Sequence, residues 1–227
     1  YTLQDAQDAI HLLRPCRYLE PIRVAEGIVL RMTDIGHLLG SAAIELWLTE
    51  GEVTKKIVFS GDVGNTNQPL LNDPKKIEET DYLVIESTYG DRHHDMERVW
   101  PVQELADCIQ RAFDKGGNLV IPSFAVGRTQ EMLYLLREIK NSGVLGMHSD
   151  FSVYVDSPMA VEATKIYACG LTDYYDPETL TLLSRGEDPI TFPGLKLVQT
   201  SEESKLLNMD KAPKVIISAS GMCDAGR

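Results

Sequence analysis

Three polar side chains stand where apolar runs give way to glycine-containing turns, and they are the residues best placed to do chemistry. Glu86 follows Tyr82-Leu83-Val84-Ile85 and precedes the polar turn Ser87-Thr88-Tyr89-Gly90. Asp62 follows Lys56-Ile57-Val58-Phe59, within Ser60-Gly61-Asp62-Val63-Gly64-Asn65. His37 lies in Gly36-His37-Leu38-Leu39-Gly40-Ser41. In layered α/β proteins the loops at the C-terminal ends of strands carry site residues, so three such ends point to one site assembled from loops. An imidazole nitrogen and a carboxylate are the usual zinc donors at hydrolytic centres, and one carboxylate can bridge two ions. The plainer readings are a turn histidine bonded to a backbone carbonyl and an Asx-turn at Asp62 before Gly64. Each is favoured for one residue alone; the pair, set in the GHLLGS context, favours metal.

The elements that must position these loops follow from periodicity. Leu3, Ala6, Ala9, Ile10 and Leu13 share one face of a short amphipathic helix over Thr2–Leu13, with Thr2 as N-cap and Asp5 at its third position; Pro15 ends it. Ile22–Val24, Gly27–Met32, Ala43–Leu48 and Lys55–Ser60 read as strands, with Glu50-Gly51-Glu52 as a turn. Tyr82–Ile85 reads as a buried strand, and Leu70–Thr80 as a surface connection. Beyond Arg92 the pattern changes. Asp95–Asp114 is helical and stops at Gly116-Gly117. Asn118–Ile121 is a strand, Pro122–Arg128 its loop, and Thr129–Asn141 a helix ended by Gly143. Ser152–Val155 is a strand, Asp156-Ser157-Pro158 a helix cap, and the helix runs to Ala168. Tyr174–Arg185 is helical, Lys196–Gln199 short and extended, and Lys214–Ile217 a last strand before Ser218-Ala219-Ser220-Gly221-Met222. Strand, loop and helix in repetition imply a parallel sheet with right-handed crossovers. The fold class is α/β, with residues 1–90 forming a β-rich unit and 91–227 a Rossmann-like one.

Composition narrows the function classes. With 34 acidic and 22 basic residues the net charge is −12, which argues against a surface basic overall but leaves room for a local basic groove or a metal-filled acidic cleft. Cys16, Cys108, Cys169 and Cys223 form no CxxC pair, so neither a zinc knuckle nor a disulfide framework is expected; buried free thiols in a cytoplasmic protein are. No apolar run reaches the length of a membrane span and no signal peptide is read, so no membrane partner is expected. The start at Tyr1 and the stop at Arg227 suggest a segment of a longer protein.

GHLLGS, FSGDVGN and ESTYGDR, in that order, resemble the later motifs of metallo-β-lactamase-fold nucleic-acid hydrolases. PSFAVGRTQE (Pro122–Glu131) and SASGM (Ser218–Met222) are similar to the β-CASP insertion of that group, which includes RNase J and the endonuclease of mRNA 3′-end cleavage. Five ordered motifs span nearly the whole chain. The resemblance implies the C-terminal part of an αββα metallo-β-lactamase domain followed by a β-CASP domain that is incomplete at its C-terminal end. His37 matches a ligand of one zinc, and Asp62 the carboxylate that bridges both. Glu86 matches the acidic residue that opens the β-CASP region and orients a metal-ligating histidine.

Substrate grip falls to the insertion. Ser123, Gly127 and Arg128 lie at a strand end and helix start, where N–H groups and the helix dipole favour phosphate; Ser218, Ser220 and Gly221 lie at an equivalent end. For Arg128 a surface salt bridge with Glu131 competes evenly, and for Ser220-Gly221 a plain tight turn does. His93 and His94 are loop histidines, one of them a candidate for the cleft; Trp47, Trp100, Met132 and Leu135 are expected in the core.

The family's HxHxDH motif is absent from the sequence, and so are the histidine motifs that follow the insertion. The chain alone is therefore expected to bind zinc weakly and to be inactive. The full-length protein is expected to hold two zinc ions and cleave single-stranded RNA, with a homodimer left open. Two other classes stay in view. One is a non-catalytic RNA-binding scaffold of the same fold, against which intact His37, Asp62 and Glu86 weigh. The other is a hydrolase of small thioesters or lactams, against which the large insertion weighs.

Overall fold

A computed structural model of the chain describes residues 1–92, 101–219 and 221–223. The expectations for His93, His94, Trp100, Ser220 and the first residues of the helix from Asp95 fall outside these residues. The chain divides into two compact units. One comprises Tyr1–Gly36, Gly40–Asn65 and Pro74–Thr88; the other comprises His37–Leu39, Thr66–Asp73 and Tyr89–Arg227.

The first unit opens with helix α1 (Leu3–Leu12). Its capping box is the expected one: the Thr2 hydroxyl accepts from Asp5 N at 3.2 Å and the Asp5 carboxylate accepts from Thr2 N at 2.7 Å. Strands β1 (Ile22–Ala25), β2 (Ile28–Asp34), β3 (Ala42–Glu50) and β4 (Val53–Phe59) form an antiparallel meander, and β5 (Tyr82–Val84) joins β4 in parallel. The sheet order is β1-β2-β3-β4-β5. Cross-strand register places Arg31 opposite Glu45 and Lys56 opposite Trp47. Glu45 is fully buried. Arg31 donates to it from Nε at 2.8 Å and Nη2 at 2.9 Å, Lys56 Nζ lies 2.7 Å away, and the Thr33 hydroxyl donates at 2.5 Å. Burial by itself would raise the Glu45 carboxyl, but the bonds from Arg31, Lys56 and Thr33 outweigh it and hold it at about 2.

Three expectations for this unit are corrected. The Tyr82–Ile85 run is not buried: all four side chains are more than half exposed, at 54–61%. It is the last strand of its sheet, and nothing among the described residues closes over the faces on which its side chains stand. Trp47 is half-buried rather than core, because its ring lies under the Arg31 and Lys56 cations at 5.1 and 5.2 Å. The cysteines are free, as expected, but not buried: Cys169 and Cys223 are exposed, Cys16 and Cys108 half-buried. Cys108 lies in the middle of the helix Pro101–Asp114, and the other three lie in connections or turns.

The second unit is built from α2 (Pro101–Asp114), β6 (Leu119–Pro122), α3 (Arg128–Ser142), β7 (Ser152–Asp156), α4 (Pro158–Tyr167), α5 (Pro177–Ser184), β8 (Leu195–Val198), α6 (Ser201–Leu207) and β9 (Lys214–Ser218). Its four strands are all parallel, in the order β6-β9-β7-β8, as the strand-loop-helix repetition predicts. Alternation along the strands sends Val153, Val155, Val215 and Ile217 to a large core with Ile109 and Leu133. Ile216 goes to the other face, with Leu207 and Val198. Leu135 joins the larger core, as expected, and half-buried Met132 packs against it. Ser157 caps α4 with Pro158 at its first turn, also as expected. Helix α6 is absent from the sequence reading; its signal is the Thr200/Glu203 capping box. Leu70 is not at the surface but 2% exposed. The main chain ties it down, since Leu70 O accepts from Asp176 N and Leu71 bridges Tyr175.

Candidate functional site

The Asp62 turn is held at its base by the backbone. Ser60 N donates to Val84 O at 2.9 Å and Gly64 N to Ile35 O at 2.9 Å. Glu86 supplies the third tie. Its Oε1 accepts from Val63 N at 2.8 Å, its Oε2 from the Thr88 hydroxyl at 2.7 Å, and its own N–H donates to Ser60 Oγ at 3.1 Å. Glu86 is half-buried, whereas Asp62 is exposed. The structure thus brings Glu86 to the loop that carries Asp62, as a carboxylate cap on the residue that follows it.

Asp34, which the sequence reading left without a role, ends β2 just before the His37 turn. Its carboxylate is buried and accepts from Gly36 N at 3.0 Å. Burial pushes its carboxyl above the usual range against that hydrogen bond. His37 is exposed and belongs with Leu38 and Leu39 to the second unit. There Leu39 N donates to the Tyr167 hydroxyl at 3.2 Å.

In the second unit the ends of β6 and β9 meet. Ser123 N donates to Ser218 O at 2.9 Å, and a Cβ on Gly221 would lie 3.0 Å from Phe124 N. Ser123, Ser218 and Gly221 are therefore neighbours. The Ser123 hydroxyl is buried and has no hydrogen-bond partner among the described residues. The loop into α3 is tightly bonded to itself. Gly127 N donates to Gln130 Oε1 at 2.7 Å, Arg128 N to Val126 O at 3.1 Å, and Thr129 N to Phe124 O at 3.2 Å. These N–H groups, which the sequence reading offered to phosphate, are engaged within the loop. Arg128 pairs with Glu131 at 2.5 Å, with half of its side chain exposed. What it offers a ligand is its guanidinium.

Gly127 is required by this geometry. Its φ is +81°, and a Cβ would lie 2.2 Å from Leu38 Cδ2. Gly127→Ala is expected to destabilise the loop by about 2–3 kcal/mol, from the strain of a side chain at φ 81° and ψ −74° plus the clash. Urea denaturation beside Gly143→Ala, a left-handed site at φ 65° and ψ 15° with open space at its Cβ, reads the excess strain and the clash together; equal losses in the two variants would dismiss both.

Zinc sites use three or four protein ligands. His37 and Asp62 supply one nitrogen and one carboxylate, and among the described residues no group of three or more His, Cys, Asp or Glu could hold a metal ion. The donors among the described residues do not by themselves fit a zinc centre.

The family model that matches the chain is the Beta-Casp domain, over residues 129–227. Those residues are a Beta-Casp domain. Recognition of the β-CASP group from its motifs therefore holds, and so does the α/β class, here one mixed and one parallel sheet. The chain is 35% identical to Ribonuclease TTHA0252 of Thermus thermophilus, over 99% of this chain and 49% of that protein. It is 30% identical to an RNase J-like protein of Methanocaldococcus jannaschii, over 100% of this chain and 50% of that one. It is 31% identical to the transcription termination factor FttA of the same organism, over 100% of this chain and 35% of that protein. The chain thus spans half or less of the length of these curated relatives. The Beta-Casp match begins at Thr129, inside the PSFAVGRTQE run, and takes in Gln130 and the β9 end. Gln130 had no assigned role in the sequence reading, although the Gly127-to-Gln130 spacing is that of a capping box.

Proposed function

We propose that this chain is part of a zinc-dependent, cytoplasmic nuclease that hydrolyses phosphodiester bonds of single-stranded RNA by a two-metal mechanism. The observation that carries the reading is the ordered set GHLLGS, FSGDVGN, ESTYGDR, PSFAVGRTQE and SASGM in a chain 35% identical to a ribonuclease. By the family resemblance, His37 would ligate one zinc of the full-length protein and Asp62 would be a metal-holding carboxylate. Metal held there would supply a water of lowered pKa and positive charge toward the phosphate. Glu86 acts through Val63 N to keep the Asp62 loop in one shape. Arg128 is the planar donor for a phosphate, competing with its pairing to Glu131. Ser123, Ser218 and Gly221 form the strand ends beside which the RNA backbone lies. A net charge of −12 opposes a polyanionic partner, so the grip must be local and strongly salt-dependent. Among the described residues no helix is long and apolar enough to cross a membrane.

A second reading, a role in ending transcription, is favoured by the 31% identity to a transcription termination factor. It is compatible with cleavage as the underlying chemistry.

The test is cleavage of labelled single-stranded RNA by the full-length protein, with and without chelator, beside the 227-residue chain. Cleavage that chelator abolishes and the isolated chain lacks is expected. RNA bound but uncut by the metal-loaded full-length protein would move the assignment to a scaffold. Cleavage by the isolated chain would overturn its expected metal-poor state.

A further inference from the structure

We propose that Gln130 is a positioning residue: its side chain holds the Phe124–Arg128 loop in the one conformation that presents the Arg128 guanidinium to the RNA backbone. The inference rests on the nuclease reading and adds a residue to it.

Gln130 has no exposed surface, and its polar atoms reach the loop on one side and α4 on the other. Oε1 accepts from Gly127 N at 2.7 Å; Nε2 donates to Ala125 O at 3.2 Å and to Thr164 Oγ1 at 3.0 Å. The orientation of the amide is fixed by its neighbours. The Thr164 hydroxyl gives its own proton to Ala160 O at 2.7 Å, so it can only accept from Gln130. A flipped amide would set its oxygen against the Ala125 carbonyl and its NH2 against the Gly127 N–H. A carboxylate at this position would meet Ala125 O with no proton to offer. An apolar side chain of equal length would fill the volume and leave Gly127 N and Ala125 O without these bonds. A buried polar side chain is costly unless fully bonded, and when fully bonded it specifies one backbone conformation.

That conformation has a consequence for the ligand. With Gly127, Arg128 and Thr129 N–H all bonded inside the loop, α3 does not present these donors to an anion. Thr129 reinforces the closure, its hydroxyl donating to Phe124 O at 2.7 Å. Recognition of a phosphate then falls to the Arg128 side chain, whose origin and direction are set by φ +81° at Gly127, the residue that Gln130 grips. Gln130 does not reach the RNA; it acts through Arg128.

The experiment measures affinity for labelled single-stranded RNA in the full-length protein, in an Asp62→Ala background so that bound RNA is not consumed. Gln130→Met is expected to weaken binding about tenfold, the usual scale for losing buried hydrogen bonds that fix a contact. Arg128→Ala is expected to weaken it similarly. The double variant should bind no worse than Arg128→Ala alone, because Gln130 has nothing left to position. Thr164→Val, which removes one acceptor, should weaken binding less, and Thr164→Ser should bind as the parent does. A structural role alone would lower the unfolding midpoint and leave the cycle additive. Parent-like binding by Gln130→Met, or full additivity with Arg128→Ala, overturns the inference while the nuclease reading stands. If Gln130→Met fails to fold, the same cycle run with Thr164→Val decides. A parent protein that binds no RNA removes the nuclease reading, and this inference with it.

Discussion

Asp62→Ala in the full-length protein is expected to lower RNA cleavage roughly a thousandfold while leaving stability nearly unchanged. The two halves of that expectation come from different features. A carboxylate that held metal at the reacting phosphate would support several kcal/mol of charge stabilisation at the transition state, and about 4 kcal/mol corresponds to three orders of magnitude in rate. The side chain is exposed in the first unit, and exposed substitutions away from caps and cores usually change stability by less than about 0.5 kcal/mol. The turn keeps its ties through Ser60 N, Val63 N and Gly64 N, which the substitution does not remove. Asp62→Asn separates charge from shape: it keeps the side-chain outline and should be nearly as inactive. Measured kcat/KM within tenfold of wild type for either variant, in metal-saturated protein, would exclude Asp62 as a metal ligand. Glu86→Ala serves as the comparator. It removes the acceptor for Val63 N and the Thr88 hydroxyl, so it should cost activity through a loosened loop, a smaller loss of about 10–100-fold.

The sequence made the elements legible where local rules and tertiary packing agree. The Thr2/Asp5 capping box, the Ser157-Pro158 helix start and the strand-loop-helix repetition each carry their own signal, and each is found. Burial was less legible, because it belongs to neighbours. Tyr82–Ile85 is as apolar as a core strand, yet it ends its sheet and is exposed; Leu70, in a polar stretch, is pulled into the core by backbone pairing to Tyr174–Asp176. At the candidate site the residue types were readable and the bonding was not. A Gly-Arg-Thr-Gln run at a helix start suggests open N–H donors; only the positions of Val126 O, Phe124 O and the Gln130 amide reveal that these donors are already taken. The resemblance gives Glu86 a role on a metal ligand, and its bonds to Val63 and Thr88 give it a second one. Both roles fit one side chain, since a carboxylate has four acceptor positions.

Glu45→Ala is expected to destabilise the first unit by about 3–5 kcal/mol, the loss typical of removing one partner from a buried ion cluster. The substitution strands two cations. Arg31 and Lys56 converge on Glu45, and their side chains are only 26% and 10% exposed, so water cannot fully replace the lost carboxylate. It also leaves the Thr33 hydroxyl, 2% exposed at the residue level, without the acceptor it meets at 2.5 Å. The triple change Arg31→Met/Glu45→Leu/Lys56→Met is the informative contrast, because replacing a whole buried cluster with apolar residues is often neutral or stabilising. It should recover most of the loss. The same carboxylate gives a pH signature with a definite sign. Its folded pKa, about 2, lies below its ordinary value of 4.5, so its contribution is fully present above pH 4.5 and is lost as pH falls toward 2. A shift of that size corresponds to roughly 3 kcal/mol between the two limits. Asp34 works in the opposite direction: burial raises its carboxyl, so its contribution favours the fold at low pH and is lost as pH rises through the raised value. The wild-type acid limb is therefore a sum, and Glu45→Gln resolves it. The stability gap between wild type and Glu45→Gln should narrow steadily as urea denaturation is repeated from pH 5 down to pH 2. A gap that stays constant over that range would show that Glu45 is not held ionised by Arg31 and Lys56.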